Sequence, residues 1–145
     1  MILEILIVDD DQMMLDLLEM FLSGCGYKPT RATDAEQAAK ALDDRDFDLV
    51  ITDLQMGCTS GFDVIQKVKN INTKKLIHKT VVIMLTSCCD GQCEDEALRR
   101  GADFFLLKPF SMIDLLERIQ PQEMKQLYLP ASTFRPERNV QQVSG

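Results

Sequence analysis

Residues 3–11 read LEILIVDDD, an apolar run that stops on three consecutive aspartates. The run is short and almost unbroken in aliphatic side chains, which is how a strand covered on both faces of a parallel sheet reads. A secretory signal would open on basic residues and close on small ones, whereas this run closes on acids. Further along, similar runs recur at 49–52, 81–85 and 104–107. A fifth candidate, 28–32, is polar and holds Pro29, which assigns it to a sheet edge.

Between these runs, apolar residues recur at helical spacing. Met13, Met14, Leu17, Leu18 and Phe21 predict a first helix that stops at Ser23 and Gly24. Further helices are expected at 35–42 behind Asp34 as cap, at 62–69 with Val64, Ile65 and Val68 inward, at 94–100 before Gly101, and at 112–119 behind Ser111. Strands alternating with helices imply right-handed crossovers and an α/β fold, a doubly wound five-stranded parallel sheet with helices on both faces. Such a sheet binds its ligand outside the carboxyl ends of its strands. After Pro121 the periodicity fades, so residues 1–121 read as one domain and 122–145 as a tail or linker, with a short helical turn near 124–128.

Composition narrows the function. A net charge of −7 repels nucleic acid and anionic membranes, so neither is an expected partner. No stretch approaches the ~20 apolar residues that span a bilayer, and a cytoplasmic setting is expected. There the five cysteines, Cys25, Cys58, Cys88, Cys89 and Cys93, are expected as reduced thiols. A zinc or redox reading of the last three lacks a CxxC spacing. The eight methionines, Met13 and Met14 among them, are assigned to core packing, and His78 to the solvated surface.

The strand ends carry the chemistry. The first ends in Asp9, Asp10 and Asp11, the third in Asp53, the fourth in Thr86 and Ser87, and the fifth in Lys108 and Pro109. In a parallel sheet these ends emerge on one edge, so Asp9, Asp10 and Asp53 converge. Clustered carboxylates repel unless a cation neutralises them. An open, oxygen-only donor set suits Mg²⁺, which keeps several waters and takes phosphate oxygens. Lys108 and Thr86 would add a positive charge and a hydroxyl donor, completing a phosphoryl-transfer site with a carboxylate nucleophile. Taken singly, each has a plainer reading: an acid after a strand as a helix cap, a threonine as structure, Lys-Pro as a turn. Their succession in order favours the site.

The segments LIVDD (6–10), ITDLQMG (51–57), MLTS (84–87) and GADFFLLKPF (101–110), with Gly61, resemble the receiver domain of two-component response regulators, of the chemotaxis-regulator kind, over about residues 3–120. The resemblance implies a flavodoxin-like strand order 2-1-3-4-5. It implies Asp53 as phosphoacceptor from a sensor histidine kinase or phosphotransfer protein. Asp9 and Asp10 would hold Mg²⁺ with Asp53 and the Gln55 carbonyl. Thr86 would contact the phosphoryl group, Lys108 would pair with it, and Phe105 would be the switch aromatic. The Lys108–Pro109 peptide would be cis. Phosphorylation would move the surface of the fourth helix, fifth strand and fifth helix, read by a downstream protein, an output domain or a second copy. On this reading the chain is no enzyme beyond its own phosphorylation and dephosphorylation.

Departures from the family pattern also stand in the sequence. Gly57 replaces a usual proline and implies a looser loop after Asp53; Cys58, Thr59 and Ser60 are unusual, and Phe105 lacks a tyrosine hydroxyl. Gln55 and Cys88 would tune the lifetime of the phosphate. Two other readings remain at this point: a haloacid-dehalogenase-like phosphatase using Asp9 and Asp11, and a receiver-like binding module that is never phosphorylated.

Overall fold

A computed structural model describes residues 2–87 and 91–127. Its sheet contains β1 (Glu4–Val8), β2 (Lys28–Ala32), β3 (Leu49–Asp53), β6 (Val81–Thr86) and β7 (Phe104–Leu107), all parallel, in the order β2-β1-β3-β6-β7. Counting these five strands alone, the order is 2-1-3-4-5. Between β3 and β6 lies a small antiparallel hairpin of β4 (Gln55–Met56) and β5 (Thr59–Ser60). The helices are α1 (Gln12–Gly24), α2 (Ala35–Asp44), α3 (Gly61–Asn72), α4 (Gly91–Arg100) and α5 (Met112–Leu127). Among the described residues no helix is long and apolar enough to cross a membrane.

Local chemistry sets the helix starts. Asp11 accepts the Met13 and Met14 N–H groups, Asp34 accepts that of Gln37, and Ser60 with Asp63 forms a capping box on α3. Edge strand β2 bonds inward through Lys28, whose N–H donates to the Leu3 carbonyl at 3.0 Å. Backbone donors alternate in direction along a strand, so the N–H that Pro29 lacks falls on the outward side.

Strand residues alternate between two cores. Leu3, Ile5, Ile7, Leu49, Ile51, Ile83 and Leu85 pack against α1 and α5. Leu6, Val8, Val50, Val82 and Met84 pack against α2, α3 and α4.

Several expectations change. In α1 the buried side chains are Leu15, Leu18 and Leu22, while Met13 (80% exposed), Met20 (73%) and Leu17 (47%) face outward. Both stripes have helical spacing, and periodicity alone does not say which one meets the sheet. Met56 and Met84 are core residues as assigned; Met13 and Met20 are not. The loop after Asp53 is a bonded hairpin instead of a loose segment, with Gly57 at φ 61°, a conformation that glycine adopts at the first position of a two-residue turn. Helix α5 runs through Pro121 to Leu127, because buried Gln122 and the bond from the Tyr27 hydroxyl to Glu123 (2.9 Å) hold its last turns; residue 128 of the expected turn lies outside the described residues. Cys93 is disulfide-bonded, which corrects the reduced reading at that position, while Cys25 and Cys58 are free. Cys88 and Cys89 lie outside the described residues. His78 is partly buried, at φ 55°.

Candidate functional site

The carboxyl edge of the sheet assembles the acids by register. Val8 pairs with Thr52, so Asp9 and Asp53, the next residue on each strand, come side by side. Carboxylate oxygens of Asp9, Asp10 and Asp53 lie within 4.8 Å of one another. Asp9 is 1% exposed, Asp53 partly buried and Asp10 open to solvent. Asp11, by contrast, is occupied in capping α1.

Lysine and backbone groups orient these acids. Lys108 Nζ sits 3.0 Å from Asp9 Oδ2 and 3.5 Å from Asp53 Oδ2. The other oxygen of Asp9 accepts the Asp11 N–H at 2.9 Å, and that of Asp53 accepts the Leu54 N–H at 2.8 Å. Lys108 is fixed in turn: its N–H donates to the Thr86 carbonyl at 2.8 Å, and the peptide to Pro109 is cis. Thr86, 3% exposed, ends β6 and pairs with Leu107. Phe105 pairs with Met84, two residues before Thr86, so Phe105 and Thr86 belong to the same face of the sheet. Gln55, exposed, opens the hairpin two residues past Asp53.

Burial raises the Asp53 pKa above its ordinary value; the Lys108 charge opposes this and the Asp9 charge adds to it. Burial alone would lower Lys108, but its bond to Asp9 and the charges of Asp53 and Asp9 outweigh that and hold it higher. Three carboxylates around one ammonium leave the edge acidic, and one acid is open to water. Donors of that kind fit Mg²⁺.

Gly61, part of the sequence pattern, has a steric role that the pattern does not explain. A Cβ there would run into the Asp53 carbonyl oxygen and come within 3.1 Å of Leu54 Cα. The Gly61 N–H donates to the Leu54 carbonyl at 2.7 Å, so α3 begins directly against the strand end that carries Asp53. Sequence reading also missed the hairpin, whose Thr59 hydroxyl accepts the Ala35 N–H at 3.2 Å and ties it to α2.

With these features in view, a match to the response regulator receiver domain covers residues 5–120. The chain belongs to this family. Among curated response regulators it is 32% identical to the regulatory protein VanR of Enterococcus faecium, over 82% of this chain and 49% of VanR. It is 36% identical to the transcriptional regulatory protein CpxR of Klebsiella pneumoniae, over 81% of this chain and 47% of CpxR. The receiver chain thus spans about half the length of these relatives. A CheY-like receiver from Methanospirillum hungatei superposes with a TM-score of 0.78 at 27% identity, covering 88% of this chain and 98% of that one. The response regulator TrrA of Thermotoga maritima, in complex with Mg²⁺–BeF, superposes with a TM-score of 0.71 at 26% identity, covering 83% and 99%.

Proposed function

We propose that Asp53 accepts a phosphoryl group from a phosphohistidine of a sensor kinase or phosphotransfer protein, and that the receiver signals through the resulting change of shape. The observation that carries this is the Lys108 ammonium lying between Asp9 and Asp53 on the strand edge that Thr86 also occupies. A carboxylate oxygen of Asp53 attacks phosphorus as the phosphorus–nitrogen bond to histidine breaks, and the departing imidazole keeps the electron pair and takes up a proton. Asp9, Asp10, Asp53 and the Gln55 carbonyl would hold Mg²⁺, which when bound offsets the charge of the phosphoryl oxygens. The Mg²⁺–BeF complex of TrrA supports that choice of ion. Lys108 orients and neutralises the phosphoryl group from the other side.

Once phosphorylated, the site draws the Thr86 hydroxyl toward the new oxygens, and Phe105 on the same face turns inward to follow. That alters the surface of α4, β7 and α5, which a downstream protein or output domain reads. The exposed Met13, Leu17 and Met20 form an apolar face on the helix that starts beside the site, suited to a donor protein. Asp11 caps α1, which counts against a phosphatase that needs it as a free acid.

The test is incubation with acetyl phosphate, with and without Mg²⁺, and mapping of the added group by mass spectrometry. Mg²⁺-dependent labelling of Asp53 that is lost in Asp53→Asn is the expected result. Labelling of Asp9 with rapid turnover would overturn it in favour of a phosphatase.

A further inference from the structure

The loop between α3 and β6 runs against the charge of the rest of the chain. Residues 64–89 contain no acid and five lysines, in a chain with 23 acids and 16 bases. The centre of this stretch, TKKLIHK (73–79), sets two aliphatic residues between lysines at the amino-terminal edge of the sheet. Leu76 is 97% exposed, the most of any large apolar side chain in the described residues, and Ile77 is 64% exposed.

Side chains close the base of this loop. Asn72 Nδ2 donates to the Thr80 carbonyl at 2.9 Å, and Asn72 Oδ1 accepts the Thr80 N–H, also at 2.9 Å. Thr80, 2% exposed, donates its hydroxyl to the Phe47 carbonyl at 2.7 Å. Lys75 is spent on the same base, with Nζ 3.2 Å from Thr80 Oγ1 and 3.6 Å from Asp46 Oδ1. A fixed base thus carries an exposed tip, which lowers the ordering cost of any contact the tip makes. Lys74 and Lys79, on either side of the tip, are exposed and form no ion pair among the described residues.

Area and charge decide between partners. Two aliphatic side chains offer far less than the roughly 800 Å² per partner that a stable protein interface buries. A lipid surface asks for no complementary area: each aliphatic group enters it separately, and each lysine is drawn separately to anionic headgroups. We propose that this loop attaches the chain weakly and reversibly to anionic lipid surfaces. Leu76 and Ile77 enter the boundary between headgroups and acyl chains, while Lys74 and Lys79 meet the negative headgroups. The net charge of −7, which argues against membranes for the chain as a whole, confines the contact to this loop and keeps it weak. Attachment by the amino-terminal edge leaves the opposite edge, with Asp53 and Lys108, turned toward solution. The proposal is independent of the phosphoacceptor reading.

Co-sedimentation of the full chain with vesicles tests this, comparing phosphatidylcholine alone with about one-third phosphatidylserine in phosphatidylcholine. Binding is expected only to the anionic vesicles, and should weaken as salt rises. The double variant Leu76→Ser, Ile77→Ser should lower the partition coefficient about tenfold, and Lys79→Gln about fivefold. Neither should move the melting temperature, because these side chains are open to solvent. Absence of binding to the anionic vesicles would overturn the proposal. Binding that the double variant retains would overturn it too, because it would assign the contact to another apolar face, such as that of α1. So would a concentration-dependent dimer that forms without vesicles and is lost in the double variant, which would give the tip to a second copy of the chain.

Discussion

The two faces of the sheet are packed by different means. On the face covered by α1 and α5 the strands contribute isoleucine and leucine, and α1 alone sinks three leucines into them. On the other face α4 buries only Ala97, and the strand residues nearest the acids are Thr52, Met84 and Thr86, with Phe105 partly buried beside them. A buried leucine contributes roughly 2 kcal/mol or more and an alanine much less. The difference makes α4 the less firmly seated layer, while α1 and α5 back the strands that lead to the acids.

The comparison can be broken by mutation. Leu18→Ala should cost about 3–4 kcal/mol in urea unfolding, and Ala97→Gly about 1 kcal/mol. Equal losses would mean that α4 is as firmly seated as α1. Gly61→Ala should cost roughly 2 kcal/mol, because the new Cβ meets the Asp53 backbone, and acetyl phosphate labelling of Asp53 should fall with it. Retained stability together with retained labelling would show that α3 is free to give way there.

Smaller effects sharpen the picture at the shared edge. Because burial raises the Asp53 pKa, its ionised form is less favoured folded than unfolded. The stability this group lends is present below its unfolded pKa of about 4 and lost as pH rises through the higher folded value. Asp53→Asn should therefore raise the melting temperature in Mg²⁺-free buffer at neutral pH, with the gain fading as pH falls below about 4. A gain that persists in acid would have another origin. On the scaffold face Tyr27, pushed up to about 12 by burial and by Glu123, should titrate well above the ordinary tyrosine value of about 10 in an ultraviolet absorbance titration. Glu123→Gln should lower it. The stability that this tyrosine lends is present below pH about 10 and lost as pH rises through the folded value. A Tyr27 titration near the ordinary value of about 10 would mean that the last turns of α5 are not held.

Much of this arrangement is legible in the sequence, for identifiable reasons. Runs such as 3–8 and 49–52 read as buried strands because both their faces are covered, and Pro29 marked the edge. Acids, threonine and lysine at successive strand ends point to one shared edge, since parallel strands bring those ends together. The hairpin was not legible, because strands of two residues carry no period. The buried stripe of α1 was not, because two apolar stripes compete on that helix. The last turns of α5 depend on Tyr27, a residue 96 positions away from its partner in the chain, and local pattern does not reach that far. Gly61 could be matched as a motif, but its steric reason appears only when Asp53 lies against it.

The missing donor of Pro29 has a consequence at the scale of many molecules. An open sheet can recruit a further strand from a neighbouring copy wherever its outermost backbone offers an unbroken row of hydrogen-bond donors and acceptors. On β2 that row is interrupted at its second residue, with Lys28 and Arg31 placing charge on either side. A second molecule approaching this edge finds a broken ladder, so crowding of the chain does not readily turn its most exposed strand into a seed for aggregation.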